Sequence, residues 1–425
     1  MPKYIVNSSG PLNGEVTISG SKNAVLPLMA ASLLTDEKCI IKDTPALRDV
    51  DVMCSIIQRI GGNVSFDKEN NQVEIETSDI VYRGADASLA GRMRASILVL
   101  GPLLARTGKA TIALPGGCNI GARPIDLHLK GFEAMGAKVE NSQKDGYDYV
   151  VAEADVLYGC DIYLDFPSVG ATENLMMTAV FAKGTTTIEN AAEEPEIVDL
   201  ANFLNKMGAK VKGAGTDTIK IEGVDKLNGT VHNVIPDRIE TGTFMVAAAI
   251  TRGRITLHNA VASHVKPITA KLKECGARVI EGDDFITVDA KDRYLHSTAS
   301  GIKTLPYPGF PTDMQSPFMA LLATVEGEAK VVETVFENRF MHIDELKKMG
   351  ANIEYQDRKA TIVGVPELKG ASVKATDLRA GAALVLAGLV AGGTTEIDQI
   401  YYIQRGYENF VEKMRSLGAD IKEVE

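Results

Sequence analysis

Six copies of one short string constrain what this chain can fold into. They are Gly61-Gly-Asn-Val, Gly136-Ala-Lys-Val, Gly208-Ala-Lys-Val, Gly276-Ala-Arg-Val, Gly350-Ala-Asn-Ile and Gly418-Ala-Asp-Ile. Their first glycines lie 75, 72, 68, 74 and 68 residues apart, so six units of about 70 residues account for nearly all of the 425. Each copy follows an amphipathic helical pattern, such as Ile197-Val-Asp-Leu-Ala-Asn-Phe-Leu-Asn-Lys-Met, and precedes a short apolar run. The glycine therefore reads as the residue just past a helix C-terminus, where a left-handed backbone is needed, and the Val or Ile opens a strand. A repeat of this length decides the whole fold, so it outranks any single element.

Two further features recur with the same period. One is an apolar helix, a glycine turn and a strand, as in Met176-Met-Thr-Ala-Val-Phe-Ala-Lys-Gly-Thr-Thr-Thr-Ile, in 244–257 and in 384–397. These helices are apolar nearly all round and belong inside a core. The other is Leu-x-Gly before a strand, at Leu12-Asn-Gly14, Leu157-Tyr-Gly159, Leu227-Asn-Gly229 and Leu368-Lys-Gly370, with Tyr82-Arg-Gly84 a looser copy and the copy near residue 297 degenerate. Each unit reads strand, buried helix, strand, amphipathic helix, hairpin: βαβαββ. The sixth unit stops at Glu425 before a final strand, so the N-terminal segment is expected to complete it. Two α/β domains of three units follow, residues 22–235 and residues 1–21 with 236–425. The backbone then crosses between them near Gly20-Ser21 and near Ile235-Pro236, a hinge suited to closing a cleft.

Composition narrows the class. Hydrophobic residues at 45% and charged residues at 24% suit a globular chain, and a net charge of −11 argues against nucleic acid as partner. The uncharged apolar runs 24–34 and 95–105 are too short to span a bilayer, and no signal peptide is visible, so no membrane association and a cytoplasmic location are expected. Five cysteines, an odd number without close pairs, imply no disulfide framework. The six histidines lack metal-ligand spacing, so no metal and no cofactor are expected.

Chemistry is sought where the buried helices begin. The start segments are Ser21-Lys22-Asn23, Arg92 to Ser96, Ser168 to Asn174, Asp237 to Thr241, Thr312-Asp313 and Thr376-Asp377-Leu-Arg379. If the units pack with threefold pseudo-symmetry, three helix N-termini converge in each domain, a setting for anions. Lys22, Arg94 and Arg379 oppose the helix dipole there, which suggests a polyanionic ligand; solvated surface charge is the other reading. The glycine-rich segment from Pro115 to His128 reads as a functional loop. Its Cys118, near Arg123, is either an inert thiol or an acid or nucleophile, and His128 either meets a ligand or makes a structural hydrogen bond. Cys39, Cys54, Cys160 and Cys275 read as packing. Gly20-Ser-Lys22-Asn is too short for a P-loop.

The motifs Gly20-Ser-Lys-Asn, Pro115-Gly-Gly-Cys with Gly-Ala-Arg-Pro, Phe310-Pro-Thr-Asp-Met-Gln, Phe336-Glu-Asn-Arg-Phe-Met-His and Asp377-Leu-Arg, in this order, resemble the enolpyruvyl transferase family, in particular its branch that acts on a sugar nucleotide. The resemblance covers the whole chain. It implies two inside-out α/β barrel domains with the active site in the cleft between them. It implies two small-molecule substrates, phosphoenolpyruvate and UDP-N-acetylglucosamine, with no obligate protein partner. The enolpyruvyl group would move to the sugar 3-hydroxyl with release of phosphate, at the start of peptidoglycan synthesis. Lys22, Arg123 and Arg405 would hold the donor phosphate, Arg339 and Arg379 its carboxylate, and Asn23 would help position substrate. Cys118 would protonate the methylene carbon, and Asp313 would take the proton of the sugar hydroxyl. Arg94, Arg123, Pro124, Ile125, Asp126, Leu127, Ser168, Val169, Gly170, Asp313 and Val335 would line the nucleotide-sugar site.

The chain departs from the family pattern at Phe166, where some members carry a Lys, and at Gln404, where an Asp is common. The shikimate 3-phosphate branch is the nearest alternative, but it usually has Ser-Lys-Ser in place of Ser21-Lys-Asn23 and lacks the loop cysteine. An RNA 3′-terminal phosphate cyclase would share a related repeat but needs an adenylylated histidine. A non-catalytic regulatory paralogue would have no reason to keep Cys118, Asp313 and the arginines.

Overall fold

A computed structural model describes residues 2–78, 80, 94–113, 125–144 and 146–425. All six glycines of the repeated string take the left-handed conformation that the pattern demands, with φ from 88° at Gly350 to 107° at Gly208. At Gly208 the amide returns to the Asn205 carbonyl, which closes the helix before the next strand begins. The Leu-x-Gly glycines have a different cause. A Cβ on Gly159, Gly229 or Gly370 would fall 2.4, 2.2 or 2.3 Å from the carbonyl oxygen of Thr185, Lys38 or Thr394. Only a residue without a side chain lets that strand approach the one leaving the next turn.

The chain divides into two compact units, one holding residues 2–19 with 236–425 and the other residues 20–113 with 125–235. Each has its own hydrophobic core. The repeat is seen most fully at 161–222. Strand Asp161–Tyr163 leads into helix Val169–Ala179 and strand Thr185–Glu189, which pair in parallel with Ile188 opposite Ile162. Helix Pro195–Met207 follows, then the antiparallel hairpin of Lys210–Lys212 and Thr218–Glu222, with Ile219 opposite Ile188. Strands expose one face and bury the other by alternation, whereas Val169–Ala179 is buried from Ala171 to Ala179. Three sheets enclose the helices of each unit, and the sheet containing Lys109–Ala113 has three strands among the described residues; the Tyr82-Arg-Gly84 copy lies outside them. In the unit that ends at Glu425, helices Arg238–Ile250, Gln315–Leu322 and Leu378–Gly388 pack on one another inside the sheets, with strands outermost.

The N-terminal segment does more than complete the sixth repeat. Lys3–Asn7 does so, pairing with Thr394–Asp398 and Ile421–Val424. Asn13–Thr17, the strand after Leu12-Asn-Gly14, instead opens the fourth repeat, parallel to Arg254–His258 with Val16 opposite Leu257. In the other unit, Val231–Asn233 supplies the opening strand of the first repeat, parallel to Cys39–Lys42.

The two glycine classes should respond differently to alanine. Gly350 has φ 88° and open space around a new Cβ, so Gly350→Ala should cost only the left-handed backbone penalty, about 1–2 kcal/mol. Gly370→Ala forces a backbone carbonyl aside and should cost more. Urea midpoints of the two variants provide the comparison, and an equal or reversed order refutes the distinction.

Candidate functional site

In the C-terminal unit the starts of three buried helices come together. Asp237 caps Arg238–Ile250, its carboxylate accepting from the amides of Ile239 at 2.7 Å and Glu240 at 3.0 Å. Asp377 caps Leu378–Gly388 in the same way, accepting from Arg379 and Ala380. The third start is the turn Thr312–Met314, which runs into Gln315–Leu322. Ser, Thr, Asp and Asn favour such positions because their side chains satisfy amides that have no partner within the helix.

Asp313 is the meeting point. Its Oδ1 accepts from Arg339 Nη2 at 2.7 Å and its Oδ2 from Arg379 Nε at 3.1 Å. Both arginines are buried, Arg379 almost completely. Its guanidinium carbon lies 5.1 Å from the centroid of the Tyr407 ring, near enough for the phenol to interact with the charge, while Nη1 and Nη2 have no well-formed hydrogen bond among the described residues. Burial opposes its charge, but Tyr407, Asp313 and Asp237 more than offset that cost, so its proton is held more tightly than in an ordinary arginine. The Tyr407 phenol is itself pushed up by burial, and its oxygen shares a 2.9 Å hydrogen bond with Thr243. Arg339 Nη1 donates to Thr312 Oγ1 at 3.0 Å. Two buried guanidinium groups on one carboxylate, one with N–H groups unbonded among the described residues, suit a planar anion.

Two other predicted residues belong to this unit. Val335 follows strand Glu328–Val332, and its amide donates to Glu333 Oε1 at 2.8 Å. Half-buried Arg405 ends the turn Ile400–Arg405. Gln404, the departure beside it, donates to Glu423.

The other unit holds a second group. Ser21 caps helix Lys22–Ala31, and Lys22 Nζ lies 3.0 Å from the buried Asp49 carboxylate. Asn23 is half-buried one residue on. Ser168 caps Val169–Ala179, so Val169 and Gly170 form its first turn. Ile125, Asp126 and Leu127 start helix Asp126–Ala134. His128 joins the two starts: a Cβ on Gly170 would lie 3.4 Å from its ring. Asn174 bonds His128 Nδ1 at 3.0 Å, donates to Ile97 O and accepts from Gly101 N. Asn174 Nδ2 has only hydrogens to offer, so His128 Nδ1 is the acceptor and Nε2 carries the proton. Ile125–Leu127 and Ser168–Gly170 are thus brought together. Cys118, Arg123 and Pro124 lie outside the described residues, as does the side chain of Arg94, whose backbone begins the turn Arg94–Val99.

Sequence reading missed Asp49, Thr312 as an arginine ligand, Glu333 and Tyr407. Only Glu333 carried a signal, an acid ending the otherwise apolar run Val331-Val-Glu-Thr-Val. Among the described residues no group of side chains could hold a metal ion, and no helix is long and apolar enough to cross a membrane.

The chain is similar to known proteins over nearly its whole length. A family model described as EPSP synthase (3-phosphoshikimate 1-carboxyvinyltransferase) matches residues 6–414. UDP-N-acetylglucosamine 1-carboxyvinyltransferase 1 of Caldanaerobacter subterraneus subsp. tengcongensis is 57% identical over 419 residues, 99% of each chain. The UDP-N-acetylglucosamine 1-carboxyvinyltransferase of Finegoldia magna is 56% identical over 99% of this chain and 98% of its own. Among solved structures, the enolpyruvyl transferase NikO from Streptomyces tendae superposes with a TM-score of 0.88 at 26% identity, covering 100% of this chain and 99% of its own. An EPSP synthase from Acinetobacter baumannii, at 19% identity and a TM-score of 0.76 over the full length of both, shares the fold.

His342 and the cysteines yield two measurable consequences. Burial lowers the His342 pKa to about 4, with Asp377 opposing and Arg339 reinforcing the shift. The unfolded chain takes up this proton near pH 6.5, while the folded one resists it down to about 4. Stability from this group is therefore complete above pH 6.5 and declines as pH falls toward 4, by on the order of 3 kcal/mol. His342→Gln should flatten that part of the stability–pH curve; an unchanged slope would place the acid sensitivity elsewhere. Burial raises the thiol pKa of Cys39, Cys54, Cys160 and Cys275, reaching about 12 at Cys54 and Cys275. These four should stay unlabelled by iodoacetamide at pH 7.5 in the folded protein, which peptide mapping reads directly.

Proposed function

The chain belongs to the EPSP synthase family, and on that premise we propose that it transfers the enolpyruvyl group of phosphoenolpyruvate to the 3-hydroxyl of UDP-N-acetylglucosamine, releasing phosphate. The relatives at 53–57% identity over essentially full length all carry the UDP-N-acetylglucosamine 1-carboxyvinyltransferase name, which favours the sugar nucleotide over shikimate 3-phosphate. The observation that carries the reading is Arg379, a buried guanidinium with its Nε–H on Asp313 and Nη groups that have no hydrogen-bond partner among the described residues. That is the requirement of a small planar carboxylate.

The residues take these roles in the proposal. Arg339 and Arg379 hold the donor carboxylate, and Lys22, Arg123 and Arg405 its phosphate. Asn23 orients the donor. The sugar 3-oxygen attacks the donor C2 as its proton passes to Asp313, and Cys118 delivers a proton to C3. The adduct then loses phosphate from C2 and a proton from C3, which restores the double bond. Arg94, Arg123 to Leu127, Ser168, Val169, Gly170 and Val335 receive the sugar nucleotide, with the helix start capped by Ser168 suited to its anionic part. An acid at carbon, a base at oxygen and cations around two anions are what this addition requires. The setting is cytoplasmic peptidoglycan synthesis.

The direct test is phosphate release from phosphoenolpyruvate with UDP-N-acetylglucosamine or shikimate 3-phosphate as acceptor. Turnover only with the second compound refutes the acceptor assignment. Asp313→Asn and Cys118→Ser should each lower turnover by about two to four orders of magnitude while calorimetry still shows sugar-nucleotide binding. The epoxide fosfomycin should label Cys118; a label on Cys39, Cys54, Cys160 or Cys275 would remove Cys118 from its role.

A further inference from the structure

We propose that Glu333 is a positioning residue for the enolpyruvyl donor, acting through the Thr312 hydroxyl to fix the guanidinium of Arg339. The proposal rests on the reading of Arg339 and Arg379 as the donor's carboxylate clamp.

Glu333 is 1% exposed, and among the described residues no Lys or Arg forms an ion pair with it. A buried carboxylate must be compensated, and here neutral donors do it. Oε1 accepts from Thr304 Oγ1 at 2.8 Å, Val335 N at 2.8 Å and Phe336 N at 3.2 Å. Oε2 accepts from Thr312 Oγ1 at 2.8 Å. Thr304 is engaged on both sides, since its Oγ1 accepts from the Thr334 amide at 2.9 Å.

The bond to Thr312 has a directional consequence. A hydroxyl has one hydrogen, and that of Thr312 is committed to Glu333. Its oxygen therefore offers only lone pairs to Arg339 Nη1, 3.0 Å away. Donation to a carboxylate also makes that oxygen a better acceptor. Arg339 Nη2 meets Asp313, the next residue of the same turn. Two neighbouring acceptors on one short turn thus fix both the plane and the direction of the fork, on which bidentate recognition depends. Glu333 reaches the guanidinium without touching it, and its other oxygen fixes the amides that lead away from Val335.

Three variants separate positioning from simple support. Thr312→Val keeps the shape and removes the hydroxyl. Glu333→Gln keeps an oxygen for the amides but presents N–H groups to Thr312, which undoes the orientation of its hydroxyl. Thr312→Ser keeps the hydroxyl. Steady-state phosphate release should show KM for phosphoenolpyruvate raised about tenfold or more in Thr312→Val and Glu333→Gln, with KM for UDP-N-acetylglucosamine within about threefold of wild type, as expected for one charged hydrogen bond. Thr312→Ser should restore the donor KM. If Thr312→Val does not fold, Thr312→Ala against Thr312→Ser gives the same comparison. An unchanged donor KM overturns the proposal. So does a parallel rise in both KM values with a lowered thermal midpoint, which marks a merely structural role. A wild-type protein that releases no phosphate with either acceptor overturns the underlying reading and this proposal with it, whereas an active wild type with unaltered variants overturns the proposal alone.

Discussion

A helix that is apolar on every side must have protein on every side, and the architecture follows from that demand. Helix Leu378–Gly388 is buried at every position from Arg379 onward, and Arg238–Ile250 from Ile239 onward. Amphipathic strands supply the enclosure because alternation gives each sheet one apolar face. Three helices inside three sheets bring the helix starts to one place, since Arg379 feels the charges of both Asp313 and Asp237. The chemistry is placed by packing: only polar caps interrupt the core there, and cations can be held beside them.

Arg379 shows what that placement costs. Leaving buried donors unpaired costs about 1–3 kcal/mol. The Tyr407 ring against its guanidinium and Asp313 at its edge support the charge, yet both Nη groups have no hydrogen-bond partner among the described residues. Asp313 serves both arginines at once, so removing it strands two buried charges. These three side chains are mutually dependent, and their effects should not add.

The features legible in the sequence were those set by local backbone demands. Six glycines past helix ends repeat because each needs a left-handed backbone, as Gly208 and Gly418 have. Ser21, Ser168, Asp237 and Asp377 cap helices because a cap requires only its own helix. Leu-x-Gly announces that a strand follows, but not which sheet receives it. The separate destinations of Lys3–Asn7 and Asn13–Thr17 were therefore not readable, because pairing is decided by distant residues. Glu333 and Asp49 were missed for the same reason. Their partners Thr312 and Lys22 lie 21 and 27 positions away, at separations no periodicity marks.

Charge alone does not explain the arrangement around Arg379. The chain carries a net −11, and Asp237, Asp377, Asp313 and Glu333 all lie near these helix starts, so the neighbourhood is not simply an excess of positive charge. Most of that negative charge is committed. Asp237 and Asp377 satisfy helix amides, and Glu333 satisfies two amides and two hydroxyls. Asp313 is the described acid that bonds both guanidinium groups, through Arg339 Nη2 and Arg379 Nε, and the Nη groups of Arg379 have no hydrogen-bond partner among the described residues. What the described residues leave unfilled is an acceptor position beside Arg379 rather than a need for net charge. A flat two-oxygen anion meets that need better than a diffuse negative field, because the open edge of a guanidinium is a fork with fixed spacing. Selectivity for a carboxylate would then arise from commitments made elsewhere: each nearby acid that already has its hydrogen bonds is one that cannot fill the position itself.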